Sequence, residues 1–365
     1  MKKTLPARSP LAAAVTLALA TAFSAPLLAA PEPKELDSVD VVGTRAAGYG
    51  EKTTSTATRT DTALRDVPQA ITVVSQELIQ DQAMHGVGDA FRYVPGVGLA
   101  QGEGNRDTPV LRGNSTTADF FVDGLRDDVQ YFRDLYNIDR VEALKGPNAM
   151  IFGRGGSGGV INRVSKHADR QRHRELSLQV GSWDRARTEI DLGGAAGQIM
   201  AWRVTAMAED SGNYRDGVDG QRHGINPTFA WHLGEATDVG VSIEHFVDDR
   251  VADRGVPSFA GRPLDVDPAT FFGSQALSPV DADVDALGVS FEHHFGDDVL
   301  LRNRTRVASY DKFYQNVYPN AVSGDRSTVA LQAYNNTTRR HNVLNQTDLV
   351  IKFGDGIRHT VLAGM

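Results

Sequence analysis

The stretch Val299-Leu-Leu-Arg-Asn-Arg-Thr-Arg-Val307 decides the fold. Val299, Leu301 and Val307 alternate with Arg302, Arg304 and Arg306. Only a strand, whose side chains repeat every second residue, gathers those arginines on one face and leaves the other apolar. The same alternation recurs upstream. Thr188, Ile190 and Leu192 oppose Arg187, Glu189 and Asp191, and Phe229, Trp231 and Leu233 oppose Ala230 and His232. Val239, Val241 and Ile243 oppose Gly240, Ser242 and Glu244, and Leu287, Val289 and Phe291 oppose Gly288, Ser290 and Glu292. This register turns Ala230 and Arg304 away from the apolar side.

The connections fall into two kinds. Gly234-Glu-Ala-Thr237, Gly296-Asp-Asp298 and Gly354-Asp-Gly356 read as tight turns. Ser211 to Arg222, Val251 to Asp283 and Pro319 to Arg340 read as long loops. Short and long connections alternate, the pattern of an outer-membrane barrel with short periplasmic turns and long outer loops. A soluble β-sandwich accounts neither for that alternation nor for arginines at every second position. Residues 168–365 are therefore predicted to form about nine strands of an antiparallel transmembrane β-barrel.

The start of the chain agrees with export. Lys2, Lys3 and Arg8 precede an uncharged, alanine-rich stretch from Leu11 to about Ala30. Residues 1–30 read as a secretory signal peptide, and the basic start and small-residue end favour this over a membrane anchor. Past it no long apolar run remains, which excludes a helical membrane protein. The chain has 0 cysteines, so disulfides and thiolate metal sites are excluded. A formal charge of -8 argues against nucleic acid as a partner.

Residues 31–54 form a short segment running into a polar, threonine-rich linker, Glu51 to Asp61. Residues 55–167 read as one compact α+β domain. Ala70 to Val74 is a β-branched strand, and Ser75 caps a helix carrying Leu78 and Ile79. Val87 to Val94 reads as a second helix, stopped by Pro95-Gly96. Phe120 to Val122 runs into the turn at Asp123-Gly124, and Ile138 to Leu144 and Gly159 to Val164 read as further strands.

Three stretches of this domain resemble the plug of TonB-dependent receptors. They are Asp66-Val-Pro-Gln-Ala-Ile-Thr-Val-Val-Ser75, then Val110-Leu-Arg-Gly113 with Phe121-Val-Asp-Gly-Leu-Arg126, and the long run from Tyr136 to Lys166 containing Ile138-Asp-Arg-Val-Glu-Ala-Leu-Lys-Gly-Pro147. Within the family the chain looks most like ferric-siderophore receptors of the catecholate type. The resemblance implies a plug seated inside a barrel of about 22 strands. About 200 residues follow the plug, so the chain is expected to be the N-terminal part of a longer receptor, unable to transport alone. Asp37, Ser38, Val39, Asp40, Val41 and Val42 stand where the family keeps its TonB box, an extended peptide that pairs with an edge strand of TonB. The implied partners are TonB with ExbB and ExbD in the inner membrane, a ferric siderophore, and outer-membrane lipid around a monomer.

The family pattern places ligand contacts on outward plug loops near Gln101 to Asp107 and Asp127 to Arg133. Gln101, Arg106 and Arg133 would meet an anionic ferric complex, and Tyr131 and Phe132 would stack on catechol rings. Arg112, Arg140, Glu142, Lys145 and Arg154 would tie the plug to lumen-facing charges. Gly153-Arg-Gly-Gly-Ser-Gly158 fits a dinucleotide fingerprint, but strand-like Val160, Ile161 and Val164 follow it, where the fingerprint needs a helix. It reads instead as a glycine turn packed against the barrel wall. The ten histidines show no metal-ligand spacing, and no catalytic constellation appears. No resident cofactor is expected, and iron would arrive wrapped by its chelator. A signal transducer would carry a further domain before Asp37, and a passive porin would need no plug. Haem, a corrinoid, an oligosaccharide and a hydroxamate siderophore remain as alternative cargoes.

Overall fold

A computed structural model describes residues 49–365, save 51, 52, 55, 61, 154 and 356. The signal peptide, the TonB-box stretch Asp37–Val42 and Arg154 lie outside the described residues. Two short strands, β1 (Thr53–Thr54) and β2 (Thr62–Ala63), pair first. Then follow β3 (Ala70–Val74), β4 (Val97–Leu99), β5 (Pro109–Leu111), β6 (Asn114–Ser115), β7 (Phe120–Val122), β8 (Leu125–Arg126), β9 (Ile138–Lys145) and β10 (Gly159–Ser165). They form a five-stranded sheet in the order β3-β9-β10-β7-β8 and a three-stranded sheet β4-β5-β6.

Helix α1 (Gln76–Asp81) starts where Ser75 Oγ accepts a hydrogen bond from the Leu78 N–H at 3.4 Å. Helix α2 (Val87–Phe91) is shorter than the sequence implied, ending three residues before Val94. Helix α3 (Ala149–Phe152) is a single turn. Val74, Ile79, Val87, Phe91, Leu111, Phe120, Ile138, Val141 and Ile161 form one buried apolar core. Each such side chain contributes about 1.5–3 kcal/mol on leaving water. The glycine run packs on the plug itself, not on the barrel wall as expected. A Cβ at Gly158 would lie 3.1 Å from Asn114 Cβ and 3.2 Å from the Leu111 carbonyl carbon.

The chain then enters one nine-stranded antiparallel sheet. Its members are β11 (His173–Val180), β12 (Ala186–Ala196), β13 (Met200–Gly212), β14 (Asp219–Leu233), β15 (Thr237–Val251), β18 (Pro279–Phe295), β19 (Val299–Val322), β20 (Val329–Phe353) and β21 (His359–Gly364). The tiny hairpin β16 (Ser258–Phe259) and β17 (Arg262–Pro263) sits in the one long connection. Alternation sorts the faces as the sequence required. Arg187, Asp191, Arg203, Asn226, Asp248 and Arg302 are buried on the inner face, and Leu178, Ile225, Ile243, Leu287 and Val307 are exposed on the outer one. Arg304 points inward, donating to the Asp123 carbonyl at 3.3 Å. Ala230 pairs with fully buried Ala201, on the same inner face.

Two expected loops are half or mostly strand. Ser211 to Arg222 shrinks to residues 213–218, and Pro319 to Arg340 shrinks to residues 323–328. Strands of 24 and 25 residues rise about 80 Å, far beyond a hydrocarbon core of about 30 Å. Past the lipid a strand needs no apolar face. Asn335, Asn336, Thr337 and Thr338 pair in register with Gln315 to Lys312 and are all polar, so no alternation marks them in the sequence. Residues 252–278 are the long connection that remains.

Candidate functional site: the seam and mouth of the plug

Asp127 lies at the centre of the seam between plug and sheet, with no exposed surface. Its carboxylate accepts from Arg133 Nε at 3.0 Å, Arg163 Nη2 at 2.5 Å, Tyr131 Oη at 2.9 Å and Tyr310 Oη at 2.8 Å. Tyr310 belongs to β19 and is itself met by Arg306 Nη1 at 2.7 Å. Burial opposes the charge on Asp127. Arg133, Arg163 and Arg306 outweigh it and hold the carboxyl well below the usual range. Burial wins at Asp107, whose carboxyl is pushed up despite Arg133.

Further ionic groups fasten the same seam, among them Asp128 with Arg340 of β20 at 3.0 Å. Asp134 pairs with Arg187 of β12 at 2.8 Å and Arg222 of β14 at 3.0 Å, and Glu209 of β13 holds both arginines at 2.9 Å. Burial also works against the Asp134 charge, and the two arginines keep its carboxyl lowered. Lys166 and Arg203 share Asp191, at 3.1 and 2.7 Å. Arg59 reaches Asp348 of β20 at 3.3 Å. Between them lies one apolar patch, where Val129, Tyr131 and Tyr136 meet Met207, Phe246, Ala282, Val284 and Ala308 of the wall.

The plug loops Gln101 to Asp107 and Asp127 to Arg133 sit at the end of the sheet where residues 252–278 cross. Glu103 accepts from Arg106 at 3.0 Å and from the Tyr334 hydroxyl, and its carbonyl accepts from Tyr314 Oη at 3.0 Å. The rings of Tyr314, Tyr334 and Tyr318 meet edge to face at 5.3 and 5.8 Å. Arg254 lies 4.1 Å over Tyr318, and Arg250 lies 4.4 Å over Phe132. Asp248 orients Arg250 at 2.6 Å. A cavity of about 290 Å³ opens here, lined by Gly104, Phe132, Arg222, Arg250 and Asp253 among others.

The sequence-assigned ligand residues separate in this geometry. Gln101 is exposed, and Arg106 and Phe132 are half-buried at the mouth. Tyr131 and Arg133 are not at the mouth. Both are buried in the Asp127 cluster, where Arg133 also donates to the carbonyls of Tyr131, Asp127 and Val129 and stacks 3.8 Å from the Phe120 ring. The loop runs extended through Tyr131-Phe132-Arg133, so alternate side chains point inward and only Phe132 looks out. Tyr314, Tyr318, Tyr334, Arg250 and Arg254 escaped the sequence reading. A signal was present: Tyr310, Lys312, Tyr314, Asn316 and Tyr318 continue the even-numbered face of the arginine strand.

The residues assigned to plug–barrel ties find their described partners inside the plug. Arg140 pairs with Glu142 at 2.9 Å and Asp139 at 3.0 Å, and Glu142 also accepts from Thr54. Lys145 donates to Thr72 and the Pro95 carbonyl, and exposed Arg112 lies against Gly146. β9 is an inner strand of the plug sheet, which turns its charges toward plug neighbours. The ties seen run instead through Asp127, Asp128, Asp134, Lys166 and Arg59. Among the described residues no group of His, Asp and Glu is arranged to hold a metal ion, and no helix is long and apolar enough to cross a membrane.

Comparison with known proteins places this geometry. Residues 63–160 match the family described as TonB-dependent Receptor Plug Domain. The chain is 30% identical over 333 residues to the metal-pseudopaline receptor CntO of Pseudomonas aeruginosa, covering 87% of this chain and 46% of that protein. It is 30% identical over 336 residues to the catecholate siderophore receptor Fiu of Escherichia coli, covering 82% and 43%. The crystal structure of the siderophore receptor PiuA from Acinetobacter baumannii superposes with a TM-score of 0.78 at 26% identity, over 83% of this chain and 46% of that one. The chain thus spans about half the length of the relatives it matches.

Proposed function

The chain belongs to the TonB-dependent receptors of the outer membrane, and on that premise we propose that it serves the active import of a ferric siderophore, catecholate-type by preference. Iron is cargo in this reading, carried by its chelator, and the protein transports without catalysing a reaction. The mouth supplies the observation that carries the proposal. Three tyrosines and the guanidiniums of Arg106, Arg250 and Arg254 surround an outward plug loop. Aromatic rings and cations together suit an anionic ferric complex built from aromatic rings. Gln101 and Phe132 belong to the same surface. Likeness to the catecholate siderophore receptor Fiu and the siderophore receptor PiuA supports a siderophore, and likeness to the metal-pseudopaline receptor CntO supports a metal complex of a different chelator.

Energy would enter through Asp37–Val42, pairing as an added strand with TonB, which ExbB and ExbD drive. Titration of the receptor with a ferric tris-catecholate, a ferric trihydroxamate and haem tests the cargo. The expected result is tightest binding of the catecholate, with Tyr334→Ala and Arg254→Ala each weakening it by about 1 kcal/mol. Preference for the hydroxamate or haem, or wild-type affinity in both variants, contradicts the catecholate assignment.

A further inference from the structure

Lys312, near the middle of β19, is buried on the inner face at 6% exposure. Its ammonium donates to three oxygens on two different plug loops. The Asn105 carbonyl accepts at 3.1 Å and the Asn105 side-chain oxygen accepts beside it. The Gln130 carbonyl, from the other loop, is the third acceptor. Among the described residues no carboxylate lies within ion-pair reach of this nitrogen. A buried ammonium without a carboxylate is costly unless every N–H is used, and here three donors meet three acceptors. The neighbouring inner-face positions grip the same loops: Tyr310 holds Asp127, and Tyr314 holds the Glu103 carbonyl. The loops also bond each other directly, Asp107 Oδ2 accepting from the Arg133 N–H at 2.9 Å and the Asp107 N–H donating to the Tyr131 carbonyl at 3.3 Å; Lys312 ties both of them to the wall through one atom.

We infer that Lys312 is a positioning residue for the ligand mouth, a staple that fixes the loop of Gln101 to Asp107 against the loop of Asp127 to Arg133. This rests on the siderophore reading for what the loops bind, though not for the staple itself. The loops carry the ligand-facing Gln101, Arg106 and Phe132, and their contribution to affinity depends on being ordered before the ligand arrives. Binding should fall when the staple is cut, although Lys312 itself lies beneath the mouth. A guanidinium would not replace it. Its planar fork cannot present three tetrahedral donors to this acceptor set.

The test measures loop separation and binding separately. The chain has 0 cysteines, so spin labels at Gln101→Cys and Gln130→Cys report the distance between loops without background. In Lys312→Met the distance distribution should broaden, and unlabelled Lys312→Met should bind a ferric tris-catecholate about tenfold more weakly. Lys312→Arg should leave the distribution broad. An unchanged distribution in Lys312→Met overturns the staple, and so does full restoration of distance and affinity by arginine, which would reduce the role to charge. If wild type fails to bind the catecholate, the cargo reading falls while the distance measurement still decides the staple. Should Lys312→Met not fold, Asn105→Ala removes one acceptor alone and should give a smaller broadening; none there overturns the proposal.

Discussion

The plug core and the plug–sheet seam are built from different materials. The core joins Val74, Phe91, Leu111, Phe120, Val141 and Ile161 by apolar packing. The seam sets Asp127, Asp134, Asp191 and Asp348 against arginines and a lysine, around a patch whose wall is largely small or aliphatic. Apolar packing loses free energy steeply when it opens to water. Polar partners that part can be rehydrated, so an ionic seam can open without the plug unfolding. The difference teaches that the plug is one cooperative unit, held in place by contacts of another kind.

The sharpest way to break this comparison is at the centre of the seam. Asp127→Ala leaves Arg133, Arg163 and Arg306 buried without their shared anion, and should cost about 3–5 kcal/mol of docking stability. Hydrogen exchange should rise in residues 127–133 while β9 stays protected; loss of protection in β9 first would erase the distinction. Ile161→Ala attacks the core instead and should cost about 2–5 kcal/mol, spread over all five strands of the plug sheet. Denaturant unfolding followed in the plug checks it.

Acid offers a milder probe. The Asp127 and Asp134 carboxyls are held below their ordinary range by arginine partners. Their contribution is complete above the unfolded value of about 3.9 and is lost as pH falls below it. Seam protection should therefore stay constant from neutral pH to about 5 and decline only below about 4. A decline already complete at pH 6 would contradict these assignments. The smallest effect is expected on the outer face. Arg339 and Asp311 pair at 3.2 Å with 77% and 54% of their side chains exposed, so Arg339→Ala should change stability by less than about 1 kcal/mol.

What the sequence disclosed follows the same division. Period-two alternation marked β12, β14, β15, β18 and the first half of β19, and Ser75 marked the start of α1. Glycine, proline and β-branched runs marked β3, β7, β9 and β10, whereas β4, β5, β6 and β8, two or three residues each, are too short to carry such a run. The seam was not legible, because its partners lie far apart in the chain: Tyr310 and Asp127 are separated by 183 positions. Nothing local distinguishes Tyr131 and Arg133, which turn inward, from Phe132, which does not. The upper half of β20 was hidden for another reason, since a strand wet on both faces has no alternation to read.

TonB-driven import of a ferric siderophore is the function proposed for the chain. Iron uptake from a labelled ferric catecholate, in cells making the receptor with Val41→Pro, tests it most directly. Proline removes a backbone donor and blocks strand pairing with TonB. The account requires uptake to be abolished while binding at the cell surface stays at the wild-type level. Uptake at the wild-type rate in that variant, or uptake by the unaltered receptor that persists without TonB, would contradict it.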